Sequence, residues 1–185
     1  MILHLVRHGQ STWNVEHRVQ GQTMHPPLTE LGREQADLAR ETLRSVPLTA
    51  VLTSDQTRAA QTADIVAQPH RLVPLPTPLL REQALGDLEG RHYDELEPQA
   101  IPEGTHISEV RWGHGESLAD VAVRMRDLVT LLSAVYPPEA QLALVSHGDA
   151  LRVLAAVLRG GSHRDVDFEA YPTWPNGHVE TLELS

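Results

Sequence analysis

A chain of 185 residues is long enough to bury a substantial core and reads as one domain over 1–185. Its 25 acidic against 15 basic residues leave a net charge of −10, which argues against nucleic acid or an anionic membrane as partner. With no cysteine, disulfides, thiolate nucleophiles and cysteine-held metals are excluded. Only 4% of residues are aromatic, so the core has to be aliphatic. No apolar run reaches membrane-spanning length and no basic, apolar leader opens the chain, so a cytoplasmic protein is expected.

In chain order, Ile2 to Val6 is a short apolar run suited to a buried strand, and it ends abruptly in Arg7-His8-Gly9. Gly9 is read as a turn residue that lets the following loop curl around a small ligand. Residues 15–27 read as loop. Thr29 is a plausible N-cap for a helix over Glu30 to Leu43, with Leu31, Leu38 and Leu43 expected on its buried face. Ala50 to Thr53 is a second buried strand. A helix over Asp55 to Ala67 follows, capped by Ser54, with Ala59, Ala63, Val66 and Ala67 on one stripe. Arg71 to Leu75 is expected to be a marginal strand, because Pro74 and Pro76 flank its end.

Residues 77–90 show little periodicity. The polar stretch 91–116 is read as a lid-like insertion. Ser117 and Asp120 form a capping box for a helix to about Val135, with Leu118, Val121, Ala122, Met125, Val129 and Leu132 at helical spacing. Gln141 to Ser146 is another buried strand, ending in His147-Gly148. A helix through Leu151, Leu154, Ala155 and Leu158 then runs to Gly160-Gly161. The tail holds Pro172, Pro175 and an Asn176-Gly177 turn before an edge strand over Val179 to Leu184. Strands alternating with helices imply a three-layer α/β/α sandwich around a mostly parallel sheet.

Parallel strands bring their carboxyl ends together, which is where such folds bind ligands. Arg7, His8, Arg58 and His147 all fall at such ends. Two guanidinium forks suit phosphoryl oxygens, a neutral imidazole can attack phosphorus, and a second imidazole can donate to the oxygens. Taken singly, each has an ordinary reading: a strand-end histidine is a turn residue, and Arg58 is a solvated helix side chain. Likewise Glu82 is a loop acid and Trp13 a packing residue.

The pattern as a whole resembles the histidine phosphatase (phosphoglycerate mutase-like) superfamily. Five ordered blocks carry the resemblance. Arg7-His8-Gly9 with Ser11 and Asn14 is the first. Leu52-Thr53-Ser54-Asp55 with Arg58, Ala59, Gln61, Thr62 and Ala63 is the second. Leu80-Arg81-Glu82 with Gly86, Glu89 and Gly90 follows, then Gly115-Glu116-Ser117, then Val145-Ser146-His147-Gly148. Asn176 and the last strand resemble the family's C-terminal end. The resemblance implies that His8 is the nucleophile and that Arg7, Arg58 and His147 hold the phosphoryl oxygens. Asn14 and Ser11 would assist, and Gln20, Gly21 and Gly148 would complete the phosphate and substrate pocket. Glu82 would protonate the leaving alkoxide and then activate water, for which burial should raise its pKa while the arginines oppose the rise. The start of the helix at Gly148 would add favourable potential for an anion. No metal and no cofactor are implied.

Two features depart from the family pattern: Gln10 stands where Glu is common, and Gln83-Ala84-Leu85 breaks the usual run after Glu82. Between a phosphatase and a mutase, residues 91–116 favour the phosphatase. They contain no lysine, only Arg91 and Arg111 as fixed cations, and Asp94, Glu95, Glu97, Glu103 and Glu109. The expected function is a metal-independent phosphomonoesterase acting through a phosphohistidine on a small phosphorylated metabolite. Phosphoglycerate mutase-type transfer and an inactive phosphate-binding module are the alternatives. A metal protein is disfavoured, since no His-x-x-His or His-Glu-x-x-His spacing occurs. His92, His106 and His114 are candidates for lining the lid, and a homodimer is compatible with the sequence.

Overall fold

The computed structural model describes residues 1–166 and 174–184, so Pro172 lies outside the described residues. Five strands form one sheet: β1 (Ile2–Arg7), β2 (Ala50–Thr53), β3 (Leu75–Pro76), β4 (Gln141–Ser146) and β5 (Val179–Glu183). Their order is β3-β2-β4-β1-β5. All neighbours are parallel except β5, which runs antiparallel to β1.

Side chains alternate across the sheet and so build two separate cores. Leu3, Leu5, Leu52, Leu142 and Leu144 face α4 (Leu118–Val135) and α5 (Gly148–Leu158). Val6, Val51, Ala143 and Val145 face α2 (Glu30–Leu43) and α3 (Thr57–Ala67). Beside these stands one short helix, α1 (Thr12–Val15), capped by Ser11. The α/β/α sandwich expected from the strand and helix pattern is therefore the observed architecture. No described helix is long and apolar enough to cross a membrane.

Several local expectations are corrected. On α2 the buried residues are Gly32, Ala36, Ala39 and Leu43, whereas Leu31 and Leu38 are exposed. The reason lies at Gly9. A Cβ there would stand 2.0 Å from the carbonyl oxygen of Gly32, so the loop after β1 packs directly on the α2 backbone. Small residues must face that contact, and the leucines turn outward. Gly9 is thus required for close approach to the α2 backbone. Helix α3 starts at Thr57, and Gln56 precedes it without a side-chain cap. Ser54 instead stays buried with its hydroxyl 3.4 Å from Gln56 Oε1. The strand expected over 71–75 shrinks to Leu75–Pro76, because prolines at 74 and 76 remove ladder donors.

The segment 91–116 folds as three short 3-10 turns, at Tyr93–Glu95, Ile107–Glu109 and Trp112–His114. It is anchored at both ends. At one end Val19 N donates to Arg91 O (2.9 Å) and Tyr93 N to His17 O (2.9 Å). At the other, Gly113 and Gly115 lie flat on residues 84–86, where a Cβ on either would come within 2.2 Å of a backbone oxygen. The segment is thus held at both ends by backbone contacts, and its Tyr93 reaches the cavity at the strand ends.

Candidate active site

The carboxyl ends of β1, β2 and β4 meet around a cavity of about 150 Å³. Arg7, His8, Arg58 and Glu82 line it, with Asn14, Gln20, Gly21 and Gly148 around them. Five separate stretches of chain, 7–21, 58, 82–93, 148–152 and 174, thus supply one hollow. The ring of His147 packs edge-on against His8, with centroids 5.0 Å apart and planes at 61°.

Each group is fixed from behind. His8 Nδ1 lies 2.6 Å from Gly9 O, and a carbonyl can only accept, so the proton sits on Nδ1 and Nε2 carries the lone pair. Asn176 Nδ2 (3.0 Å) and Gly177 N (3.2 Å) both donate to His8 O, so the C-terminal turn grips the strand end. Arg58 is 1% exposed and donates to Thr23 O (2.9 Å) and Gly21 O (3.0 Å), which aims its remaining edge inward. Arg7 donates to Trp174 O, and its guanidinium lies against Gly148.

Four buried nitrogens at this point have no hydrogen-bond partner: Arg7 Nε, Arg58 Nε, and His147 Nδ1 and Nε2. Buried donors are almost always paired, so a cluster of orphans marks a place made for an acceptor. Burial, reinforced by the Arg58 and Arg7 cations, holds the His8 pKa well below the ordinary imidazole value. Burial and Arg58 do the same to His147. Both rings are therefore neutral at physiological pH. Burial also lowers Arg58, to about 10, which leaves it a cation at neutral pH.

Glu82 sits on the cavity wall with Oε1 accepting from Gln83 N (3.0 Å) and Ala150 N (3.0 Å). The first turn of α5 thus spends its donors on a carboxylate of the protein itself, where an external anion was expected. Removal from water raises the Glu82 pKa and the Asp149 carboxylate adds to the rise. The two backbone N–H groups and Arg58 oppose it, and the net direction is upward.

The loop carrying Glu82 is clamped by residues that sequence reasoning underrated. Arg124 donates to Leu79 O (2.8 Å) and Glu82 O (3.0 Å) while pairing with Glu116 (3.0 Å). Glu116 in turn accepts from Ala84 N (2.9 Å), and Ser146 Oγ donates to Leu80 O (2.6 Å). Gln56, fully buried, accepts from Glu82 N (2.9 Å) and donates to Gly21 O (3.0 Å) and Thr23 O (3.2 Å), tying the Glu82 loop to the loop that holds Arg58.

Of the pocket residues expected, Asn14, Gln20, Gly21 and Gly148 line the cavity, whereas Ser11 stands behind its wall. Ser11 is fully buried; its hydroxyl donates to Gln20 Oε1 (2.7 Å) and accepts from Asn14 N (3.2 Å). Since Asn14 Oδ1 accepts from Ser11 N (2.9 Å), its amide nitrogen is the end left to meet an anion. None of His92, His106 and His114 lines the cavity; their ring nitrogens contact Glu16 O, Ser108 and Asp87. Wall residues that went unremarked are Leu85, Tyr93, Asp149, Arg152 and Trp174. Asp149 and Arg152 fall on the first turns after His147-Gly148, a position that could have flagged them. Leu85 and Trp174 carry no such signal. Among the described residues, no three His, Asp or Glu side chains cluster as a metal site.

The chain belongs to the histidine phosphatase superfamily (branch 1), whose family model matches residues 3–184. A probable phosphoglycerate mutase, GpmB of Proteus mirabilis, is 35% identical over 96% of this chain and 89% of its own length. A mycobacterial glucosyl-3-phosphoglycerate phosphatase solved in complex with VO3 superposes with a TM-score of 0.85 at 32% identity, covering 97% of this chain and 90% of that one. YhfR of Bacillus stearothermophilus gives 0.80 at 29% identity, covering all of this chain and 91% of the other.

Proposed function

We propose that this chain is a metal-independent phosphomonoesterase that works through a phosphohistidine on a small phosphorylated metabolite. The observation that carries the reading is the set of four partnerless buried nitrogens on Arg7 and Arg58, which line the cavity with His8, and on His147, whose ring packs against that of His8. The phosphoryl oxygens accept from the two guanidinium groups, from the one protonated ring nitrogen of neutral His147 and from the Asn14 amide. His8 Nε2 attacks phosphorus; the N–P bond forms as the P–O bond to the alkoxide breaks, and Glu82 gives that oxygen its proton. The resulting Glu82 carboxylate then takes a proton from water. The hydroxide attacks phosphorus, the N–P bond breaks, and His8 recovers its lone pair as phosphate leaves.

Hydrolysis is favoured over mutase transfer because Tyr93 alone of residues 91–116 lines the cavity. Arg91 and Arg111 do not reach it, and Arg111 is spent on Asp120 (2.6 Å), so residues 91–116 offer a bisphosphate no second cationic cradle. Some relatives carry a mutase name, which makes the distinction worth measuring. Turnover of p-nitrophenyl phosphate is expected to survive EDTA and to vanish in His8→Ala; loss on chelation refutes the metal-free chemistry. Rapid quench is expected to trap an acid-labile, alkali-stable phosphoenzyme in the wild type only. Rapid conversion of 3-phosphoglycerate to 2-phosphoglycerate with catalytic 2,3-bisphosphoglycerate, without phosphate release, would establish the mutase instead.

A further inference from the structure

Beside the phosphate cavity lies a second hollow of about 240 Å³, and Leu85 and Tyr93 line both. Its other walls are Val19, Leu88, Leu96 and Trp112, with Glu97 and Gln99 at its polar margin. Among the described residues its lining includes no Lys, Arg, His, Ser or Thr, and Tyr93 is its one hydroxyl-bearing residue. We propose that this hollow receives an aromatic or similarly bulky apolar leaving group of the phosphomonoester, an inference that rests on the phosphatase reading above.

Three observations support the assignment. First, in-line displacement places the leaving oxygen opposite His8 and next to Glu82. The chain runs from Glu82 through Leu85 to Leu88, so the exit beside the acid opens along these leucines. Second, the volume is right. An apolar cavity of roughly 150 Å³ holds benzene, so 240 Å³ has room for a fused bicycle. Third, the walls are held in place. Arg91 and Tyr93 are bonded to residues 17–19, and Gly113, at φ +56°, lies so close to Leu85 O that Trp112 is fixed beside Leu88. Such a hollow is a preformed receptor for an apolar body, and a second phosphate or carboxylate would meet Glu97 and no counter-charge.

The test compares phenyl phosphate with 2-naphthyl phosphate, whose leaving hydroxyls differ little in acidity. The naphthyl ester is expected to have a roughly tenfold lower KM at similar kcat, from the apolar area of one added ring. Leu88→Gln and Leu96→Gln are expected to erase the difference, while turnover of ethyl phosphate, whose leaving group is too small to fill the hollow, and inhibition by inorganic phosphate stay as in the wild type. Equal KM values in the wild type, or a preference that survives both variants, overturns the proposal. So does a concentration-dependent dimer lost in Trp112→Ala, which would give the hollow to a second copy of the chain. Fluorescence titration with 2-naphthol reads the hollow without catalysis. If 2-naphthol binds and Leu88→Gln weakens it while neither ester is hydrolysed, the hollow stands and the phosphatase reading fails.

Discussion

In the proposed reaction Glu82 must be protonated for its first task, and its environment decides over which pH range that holds. Burial and Asp149 raise its pKa, so the acid persists above the usual carboxylate range and is lost as pH rises through the raised value. His8 sets the opposite limb: depressed well below 6.5, it stays unprotonated and nucleophilic down into mildly acidic solution. The rate with poor leaving groups, such as alkyl phosphates, is therefore expected to fall as pH rises, while p-nitrophenyl phosphate, which needs no proton, falls far less. Glu82→Gln should slow alkyl phosphates at least tenfold more than the nitrophenyl ester, read as the ratio of kcat values. Equal slowing of both would remove Glu82 from the acid role.

At the scale of elements, Glu82 is placed by a helix none of whose residues lines the cavity. Arg124 on α4 reaches two carbonyls of the Glu82 loop and neutralises Glu116, and both side chains are largely buried. Arg124→Met would strand the Glu116 carboxylate and two carbonyl acceptors, costing about 2–3 kcal/mol in urea unfolding. In the folded fraction, kcat for alkyl phosphates should drop more than for p-nitrophenyl phosphate, because Glu82 loses its mooring. This clamp also marks the limit of what could be read from the sequence. Strand ends were legible because Ile2 to Val6 and Gln141 to Val145 are apolar runs that stop at Arg-His-Gly and Ser-His-Gly. The α4 stripe was legible because its spacing is helical. Arg124 and Gln56 were not, since a polar residue in a helical or turn stretch looks solvated until tertiary contacts bury it. Leu31 and Leu38 misled for the converse reason: hydrophobicity suggested a buried face, but the contact of Gly9 with Gly32 admits only small residues.

For the molecule as a whole, the two neutral imidazoles make the fold sensitive to acid. Histidines of the unfolded chain take up protons near pH 6.5, whereas His8 and His147 in the folded protein do not until well below it. The unfolded state then binds more protons, so stability declines as pH falls through 6.5. Glu82 works in the opposite sense but in a different window. Its folded pKa is raised above 4.5, so its contribution is present below that value and is lost as pH climbs through the raised one. The melting temperature is expected to drop between pH 7 and 5.5, and His147→Gln should flatten that drop. A parallel fall in wild type and variant would show that other groups govern the acid response.

Strand β1 lies between β4 and β5, the two strands made last. During synthesis it is therefore the first strand to emerge and the last to find neighbours. Leu3, Leu5 and Val6 stay exposed until the distal third of the chain arrives, and such long-range closure is slow and prone to aggregation. The same delay has a second effect. His8 cannot be gripped by Asn176, nor packed edge-on against His147, before the distal third of the chain is made. His8 is translated almost first and surrounded last, so a chain truncated before β4 carries His8 without His147 beside it.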